Sequence, residues 1–126
     1  MHITLGLAPI TKKNHCQIIK VKQNKKERMM VIPSKQYKQF EKDCAAFIDA
    51  IPFSTYDVPV NVKCVYYMPT RRRVDLVNLQ EATLDVLVKY GVILDDNVNI
   101  VASMDGSRVF YDKENPRTEI DIEPIL

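Results

Sequence analysis

The chain has 126 residues, of which 46% are hydrophobic and 27% charged, which suits a single folded domain with one core and excludes a disordered or fibrous protein. The net charge of +2 is unevenly distributed, since residues 1–50 carry ten basic and four acidic residues and residues 51–126 carry eight and twelve. This asymmetry suits a protein that attracts a polyanion and holds carboxylates beside it, although the charge alone favours solvated loop lysines.

Secretion and membrane insertion are disfavoured by the apolar pattern. No apolar run approaches the roughly 18 to 20 residues that span a bilayer, and the first residues lack a basic head followed by an apolar stretch. The three cysteines are widely spaced, without a CxxC motif. We therefore expect a cytoplasmic protein with reduced cysteines, in which Cys44 and Cys64 are small core residues.

The N-terminal part of the chain predicts a strand followed by a hairpin. Apolar residues alternate with smaller or polar ones over residues 3–7, which indicates a strand that stops at Pro9. Two short apolar runs, residues 17–22 and 28–32, flank a polar, lysine-rich stretch. Such an arrangement is typical of a hairpin or a lysine-rich flap.

A helix and a strand are predicted next. Ser34 precedes aromatic and apolar residues spaced three or four apart, which predicts an amphipathic helix from about residue 35 to 50 with a serine N-cap. Pro52 then ends the helical pattern. Apolar residues alternate from Val58 to Met68, which is the period of a half-buried strand.

A second helix is predicted from near Asn78 to Tyr90, with Gly91 at its C-terminal end. The stripe expected to face the core comprises Leu79, Ala82, Thr83, Val86, Leu87 and Tyr90. The opposite line comprises Asn78, Glu81, Asp85 and Lys89. Glu81 and Asp85 therefore lie one turn apart on the exposed or site-facing side of this helix.

The last part of the chain predicts two further strands. One begins within residues 98–101, and the other spans residues 118–123, where isoleucines alternate with acidic residues. Asp105 and Gly106 favour a turn or a bulge between them. Because no internal repeat or low-complexity linker interrupts the chain, we predict a single α+β domain over residues 1–126, with a mixed sheet and two helices.

Residues 69–96 bring together the residue types of a phosphodiester-cleaving site. The basic residues there are Arg71, Arg72 and Arg73. Asp75 precedes the second helix, and the pair Asp95 and Asp96 follows it. Carboxylates converging from a helix start and a following loop suit a hard cation such as Mg²⁺. Such an ion polarises a phosphodiester and activates water, while arginines hold DNA phosphates.

Each member of this group also has a purely structural interpretation. Asn78 followed by Glu81 has the spacing of a capping box, and Asp75 is an alternative cap for the same helix. Residues 95–97 have the composition of an ordinary turn. The arginines of residues 71–73 suit a solvated loop.

The order and spacing of these residues nevertheless match a known family. The segments Pro69–Gln80, Leu84–Leu87 and Gly91–Asp96 together resemble the RusA family of Holliday junction resolvases, which are endonucleases often encoded by prophages. The resemblance extends over about residues 58–101 in motif and over most of the chain in layout. It implies a RusA-like fold and an endodeoxyribonuclease.

The resemblance also implies roles for the acidic residues. The family has an Asp-Leu-Asp-Asn segment at the start of the second helix, a lysine shortly after it and an Asp-Asp pair beyond the helix. The resemblance therefore implies that Asp75 and Asp96 are metal ligands, with Asp95 beside them. Asp85 and Asn78 are implied as supporting polar residues.

Two positions depart from the family pattern. Val77 stands where the family has its second aspartate, and Glu81 stands where it has its catalytic lysine. Glu81 lies one helical turn beyond Val77, so its longer side chain is a candidate third ligand beside Asp75 and Asp96. The arginines of residues 71–73 are candidates for neutralising charge that develops on the phosphate.

One leading hypothesis and two alternatives follow. The first is an endodeoxyribonuclease dependent on Mg²⁺ or Mn²⁺ that resolves Holliday junctions or other branched DNA in recombination and repair, working as a homodimer because symmetric nicking suits a two-fold pair of sites. The residues expected to bind DNA are Arg71, Arg72, Arg73, Lys12 and Lys13. The alternatives are a protein that binds branched DNA without cleaving it, and a small structural protein whose acidic loop binds nothing.

Overall fold

The computed structural model describes residues 1–12, 16–23 and 26–125. Within these residues, strands and helices follow one another along the chain as β1 (His2–Leu5), β2 (Cys16–Gln23), β3 (Lys26–Pro33), α1 (Lys35–Asp49), β4 (Val60–Met68), α2 (Leu76–Lys89), β5 (Val101–Ser103), β6 (Arg108–Tyr111) and β7 (Arg117–Pro124). The predicted α+β architecture with two helices is confirmed.

A mixed sheet forms the frame of the molecule. β7 lies between β1 and β4 and pairs with both of them in antiparallel fashion. The other side of β4 has two short parallel partners, because β5 pairs with its beginning and β6 with its end. β2 and β3 form a separate antiparallel pair, which confirms the predicted hairpin.

Both helices and one face of the sheet share a single hydrophobic core. Alternate residues of β4 point into this core, and these are Val60, Val62, Cys64 and Tyr66. The predicted stripe of α2 is buried as expected at Leu79, Ala82, Thr83, Val86 and Leu87. Because the two helices cover only this face, polar side chains such as His2 and Lys63 occupy the open face.

Helix α1 begins and ends close to the predicted positions. The hydroxyl oxygen of Ser34 accepts a hydrogen bond of 3.2 Å from the backbone N–H of Tyr37, so Ser34 is the expected N-cap. Tyr37, Cys44 and Ile48 are buried and lie on one side of the helix. The 3.6-residue period of the apolar positions therefore identified both the helix and its buried face.

Helix α2 begins two residues earlier than predicted, which changes the meaning of Asn78. The N-cap is Asp75, and Asn78 is the third residue of the helix. The capping-box interpretation of Asn78 and Glu81 is therefore wrong, since neither residue flanks the helix. At the other end Gly91 follows the C-cap with φ of +72°, a left-handed conformation that suits glycine.

The region between β4 and β7 differs most from prediction. Residues 98–100 form a turn, in which the N–H groups of Ile100 and Val101 both donate to the carbonyl of Asn97, so β5 begins only at Val101. Asp105 and Gly106 form a turn, with φ of +87° at the glycine. β6 follows that turn and has no counterpart in the sequence prediction, because its four residues are all exposed and show no alternation.

The cysteine prediction is confirmed where the side chains are described. Cys44 and Cys64 are free and buried, and burial raises the pKa of both thiols. The side chain of Cys16 and all of Lys13 lie outside the described residues.

Over the described ranges, no helix combines the length and apolar character needed to cross a membrane.

Candidate functional site

The loop between β4 and α2 presents the three predicted arginines to solvent. Residues 71–75 have no regular secondary structure, and Arg71, Arg72 and Arg73 are all exposed. The backbone N–H of Arg72 donates to the hydroxyl of Thr70 at 3.4 Å, which is a long and therefore weak restraint on the loop. Exposed guanidinium groups in this loop are available to phosphate oxygens.

A groove of about 510 Å³ runs beside this loop. One wall is the N-terminal segment 8–11, and the other is formed by residues 68–70 and 72–74, with Gln36 at the start of α1 between them. Arg72 and Arg73 both line it. The groove therefore offers basic and polar groups along a channel between the N-terminal segment and the entry to α2.

Asp75 occupies the first position of the site at the start of α2. Its side chain is exposed and makes no capping hydrogen bond to the helix backbone. Instead one carboxylate oxygen accepts a hydrogen bond of 3.3 Å from the side-chain amide of Asn78. The amide of Asn78, which the resemblance implies as a supporting residue, thus contacts Asp75, and the carboxylate lies at the positive end of the helix dipole.

Asp85, one of the two acidic residues on the exposed side of α2, is paired with a lysine from the N-terminal part of the chain. Asp85 is half-buried, and its carboxylate lies 3.3 Å from the ammonium of Lys12. The same ammonium lies 5.8 Å from the ring centroid of Tyr37, within cation–π distance. Burial and the nearby charges of Glu41 and Asp85 raise the pKa of the Tyr37 hydroxyl, which keeps it protonated.

Asp95 and Asp96 form the acidic pair after α2. One oxygen of Asp95 accepts a hydrogen bond of 2.7 Å from the backbone N–H of Asp96, and the other accepts one of 3.1 Å from the side chain of Asn97. The pKa of Asp96 is raised by partial burial, by a hydrogen bond with the Asp95 side chain and by its charge, with a contribution from Asp85. Residues 96 and 97 form a bend that leads into the turn at residues 98–100, so the predicted turn lies slightly later in the chain, and the bend concentrates negative charge.

The predicted metal ligands are spread over the length of α2, since Asp75 precedes the helix, Glu81 lies within it and Asp96 follows it. Asp96 lies within electrostatic range of Asp85, whereas Asp75 precedes Asp85 by ten residues, about 15 Å of helical rise. Over residues 1–12, 16–23 and 26–125, no three histidine, cysteine, aspartate or glutamate side chains lie close enough together to hold a metal ion. The donor chemistry still suits Mg²⁺, which commonly takes one or two carboxylates and completes its shell with waters and phosphate oxygens.

The two departures from the family pattern are both on the solvent side of α2. Val77 is 67% exposed, although it is apolar. Glu81 is also exposed, one turn further along the helix. Neither side chain is required by the core, so substitutions at these positions change the site more than the fold.

Two features of this region lay beyond sequence reasoning. Lys12 was expected to contact DNA phosphates, and no pattern along the chain signals its pairing with Asp85, 73 residues away. Aromatic residues of β6 lie next to the arginine loop, residues 71–73. Phe110 and Tyr111 line a second groove together with Arg71 and Arg72. The adjacent aromatic residues at positions 110 and 111 are the one sequence signal that could have indicated a surface role.

Comparison with known proteins finds similarity to nucleases. Residues 8–123 match the family described as endodeoxyribonuclease RusA. Crossover junction endodeoxyribonucleases RusA of Enterobacteria phage 82, of Escherichia coli strain K12 and of Shigella sonnei strain Ss046 are each 51% identical to this chain over 39 residues. Those residues are 31% of this chain and 32% of each relative, so the matched segment spans about a third of their length.

Proposed function

The chain belongs to the RusA family of endodeoxyribonucleases, and from that premise we propose that it cleaves Holliday junctions or other branched DNA by metal-dependent phosphodiester hydrolysis. The observation that carries the proposal is the exposed pair of Asp95 and Asp96, which places two adjacent carboxylates after α2, a donor set that suits a divalent cation. The relatives named as crossover junction endodeoxyribonucleases support the choice of substrate.

The proposed cofactor is Mg²⁺ or Mn²⁺. Asp96, with Asp95 beside it, is proposed as one part of the ligand set, and Asp75, with Glu81 as the candidate replacement for the carboxylate missing at Val77, as the other. The ten residues from Asp75 to Asp85, about 15 Å of helical rise, keep these two parts apart within one chain. A bound divalent ion supplies polarisation of the phosphodiester and a lowered pKa for the attacking water. The carboxylates of this chain would hold the ion, and the amide of Asn78 would orient Asp75.

The arginine loop is proposed to hold the DNA backbone. Three exposed guanidinium groups, those of Arg71, Arg72 and Arg73, precede the proposed ligand Asp75 by two to four residues. Bidentate contacts between guanidinium and phosphate would fix the scissile strand next to the carboxylates. Lys13 remains a predicted DNA contact outside the described residues.

Lys12 is proposed as a positioning residue rather than as a simple phosphate contact. Its ammonium lies between Asp85 and the ring of Tyr37. In this position it compensates the negative charge of Asp85 on α2 and holds that side chain in place. The charge of Asp85 in turn acts on Asp96. Position 81 of α2 is a glutamate where the family has a lysine, so positive charge reaches this face of α2 from another element, through Lys12.

The protein is proposed to act as a homodimer in the cytoplasm. Two identical sites related by a two-fold axis nick opposed strands of a four-way junction symmetrically. Sedimentation equilibrium at micromolar concentration, with and without junction DNA, should report about twice the chain mass. A single chain mass under both conditions would remove the paired-nicking mechanism.

A second candidate function is binding of branched DNA without cleavage. The observation that favours it is Val77, which presents a 67% exposed apolar side chain where the family has a carboxylate. Under this alternative the arginine loop and the fold are retained while the metal site has lost a ligand. The alternative keeps the same DNA partner and differs only in the chemistry.

One experiment separates these functions. Purified protein is incubated with a synthetic four-way junction and, as a matched control, with a linear duplex of the same sequence, each in EDTA, Mg²⁺ or Mn²⁺. Cleavage of the junction that requires metal supports the nuclease, and retardation without cleavage supports the binding protein. Absence of both retardation and cleavage would contradict both functions and leave the structural alternative.

A further inference from the structure

The outer edge of the sheet carries aromatic side chains that the proposed chemistry does not use. All four residues of β6 are exposed, and the side chains of Phe110 and Tyr111 remain 45% and 40% exposed. β6 pairs with the end of β4, and in the described residues no strand pairs with its outer side. Soluble proteins usually protect such edges with charge, so large exposed rings there indicate a binding surface.

The two rings frame the edge from both faces of the sheet. Phe110 is in register with Tyr67, and their rings stack with centroids 5.6 Å apart and planes at 21°. Tyr111 is in register with Met68. Because successive side chains of a strand point to opposite faces, Phe110 lies on the open face and Tyr111 on the helix side.

Each ring has a guanidinium group beside it. The guanidinium carbon of Arg71 lies 4.3 Å from the ring centroid of Tyr111, and that of Arg108 lies 6.0 Å from the centroid of Phe110. The ion pairs of the described residues involve neither of these two arginines. Arg117 differs, since it covers Tyr67 but is paired with acidic neighbours.

A groove of about 460 Å³ connects this edge with the arginine loop. One wall includes Arg71, Arg72 and Val74, and the other is formed by Val109, Phe110 and Tyr111. The groove therefore combines apolar, flat surfaces with positive charge. Its lining includes Val74, the residue before the N-cap Asp75, so the groove reaches the start of α2.

We propose that this edge of the sheet binds unpaired nucleobases of branched DNA. Tyr111 with Arg71 at the groove on the helix side, and Phe110 with Arg108 on the open face, each provide a stacking surface and a guanidinium group for the adjacent phosphate. The inference rests on the proposed function and adds the feature of the substrate that is recognised, namely bases that have left the duplex stack. Aromatic rings beside guanidinium groups bind single-stranded nucleic acid in this way. A continuous duplex keeps its bases stacked and offers the groove only its backbone.

The chemistry of the edge favours nucleic acid over a second copy of the chain. An apolar protein partner would bury two guanidinium groups that have no carboxylate partner within the described part of the chain, which is unfavourable. A nucleic acid strand supplies both an aromatic face for the rings and a phosphate for each cation. Charge and shape therefore match a single strand.

The test measures affinity for three DNAs in EDTA: a dT oligonucleotide, a linear duplex, and a four-way junction with 2-aminopurine at the branch point. Phe110→Leu and Tyr111→Leu should each weaken binding of the dT oligonucleotide on the order of tenfold and change binding of the duplex less than about twofold. Wild-type protein should quench the branch-point 2-aminopurine, and both variants should reduce the quenching. Tyr111→Phe, which keeps the ring, should retain wild-type behaviour.

The matched control is Phe53→Leu, since Phe53 is a 36% exposed aromatic residue in the loop between α1 and β4. It should leave all three affinities unchanged, and similar melting temperatures would confirm that every variant is folded. Equal loss of duplex and single-strand affinity, or no loss of either, would overturn the proposal. Loss of a dimer without a change in quenching would assign the edge to a second copy and also overturn it.

The outcome also separates this inference from the proposed function. Wild-type protein that cleaves junctions, together with Phe110→Leu and Tyr111→Leu variants that quench 2-aminopurine normally, overturns only the stacking site. Wild-type protein that binds none of the three DNAs overturns both the stacking site and the proposed function.

Discussion

The ammonium of Lys12 lies 3.3 Å from the carboxylate of Asp85, which joins the segment after β1 to the middle of α2. Both side chains are partly exposed, so the pair contributes little to the stability of the fold. Its significance lies in its position, because Asp85 also contributes to the raised pKa of Asp96. A contact between two distant segments thus places a positive charge beside one of the carboxylates that face the proposed metal site.

Removing the ammonium of Lys12 should reduce cleavage more than stability. We expect Lys12→Ala to lose less than about 1 kcal/mol of unfolding free energy, as is typical of partly exposed ion pairs, and to lower the rate of junction cleavage at least about tenfold through misplacement of Asp85. Thermal unfolding and single-turnover cleavage measure the two effects. Lys42→Ala, which changes an exposed lysine of α1, is the control. Cleavage at the wild-type rate would show that Lys12 does not position the site.

Asp96→Asn should abolish metal-dependent cleavage and preserve junction binding. The substitution removes a proposed ligand charge but leaves the fold and the arginine loop intact. Gel retardation in EDTA and cleavage in Mg²⁺ measure binding and activity separately. Full activity of this variant would exclude Asp96 as a ligand, and loss of binding would indicate a role in contacting DNA.

The same variant should be more stable than wild type at neutral pH. Partial burial and the Asp95 side chain raise the pKa of Asp96, so the ionised pair opposes folding when the pH is well above that pKa. As the pH falls through the raised pKa, protonation relieves the repulsion in wild type, and the difference between the two proteins should disappear. Melting temperatures from neutral to acidic pH in EDTA measure this. A constant difference over the whole range would contradict it.

The arginine loop should determine how DNA binding depends on salt. Replacing Arg72 and Arg73 by alanine should weaken junction binding and reduce the slope of log K against log salt by about 0.9 for every duplex phosphate that the variant no longer neutralises. Lys113→Ala, at an exposed position before β7, should leave the slope unchanged. An unchanged slope in the double variant would show that neither arginine contacts a phosphate.

Substitutions at Val77 and Glu81 should show whether the site has been repaired or has decayed. If Glu81 supplies the missing carboxylate, Glu81→Ala should remove cleavage and Val77→Asp should restore part of it in that background. If the protein is a decayed nuclease, wild type should be nearly inactive, and Val77→Asp with Glu81→Lys should increase cleavage.

We expect the first pattern, because Asp75, Asp85, Asp95 and Asp96 all retain the family order. Val77→Asp should cost little stability, since Val77 is exposed in the first turn of α2, where the helix dipole favours a carboxylate. An active Glu81→Ala protein with unchanged metal dependence would contradict the repair.

The elements that periodicity defines could be predicted from the sequence. The spacing of apolar residues identified α1, α2, β4 and β7 and the faces that they bury, and Ser34 identified the start of α1. These features are local, because the repeat of a helix or strand and the hydrogen bond of a cap involve residues only a few positions apart. The start of α2 was missed because Asn78 and Glu81 have the spacing of a cap that Asp75 in fact occupies.

The sequence by itself determined the order of the acidic and basic residues of the proposed site, and with it the family resemblance. Only the tertiary structure decided which of them meet. Lys12 reaches Asp85, and β6 places Phe110 beside Tyr67, across 73 and 43 positions of the chain. Neither contact leaves a local pattern, because each arises from how the sheet and helices pack. β6 in particular is held by pairing with β4 while its side chains stay exposed, so no alternation in burial reveals it.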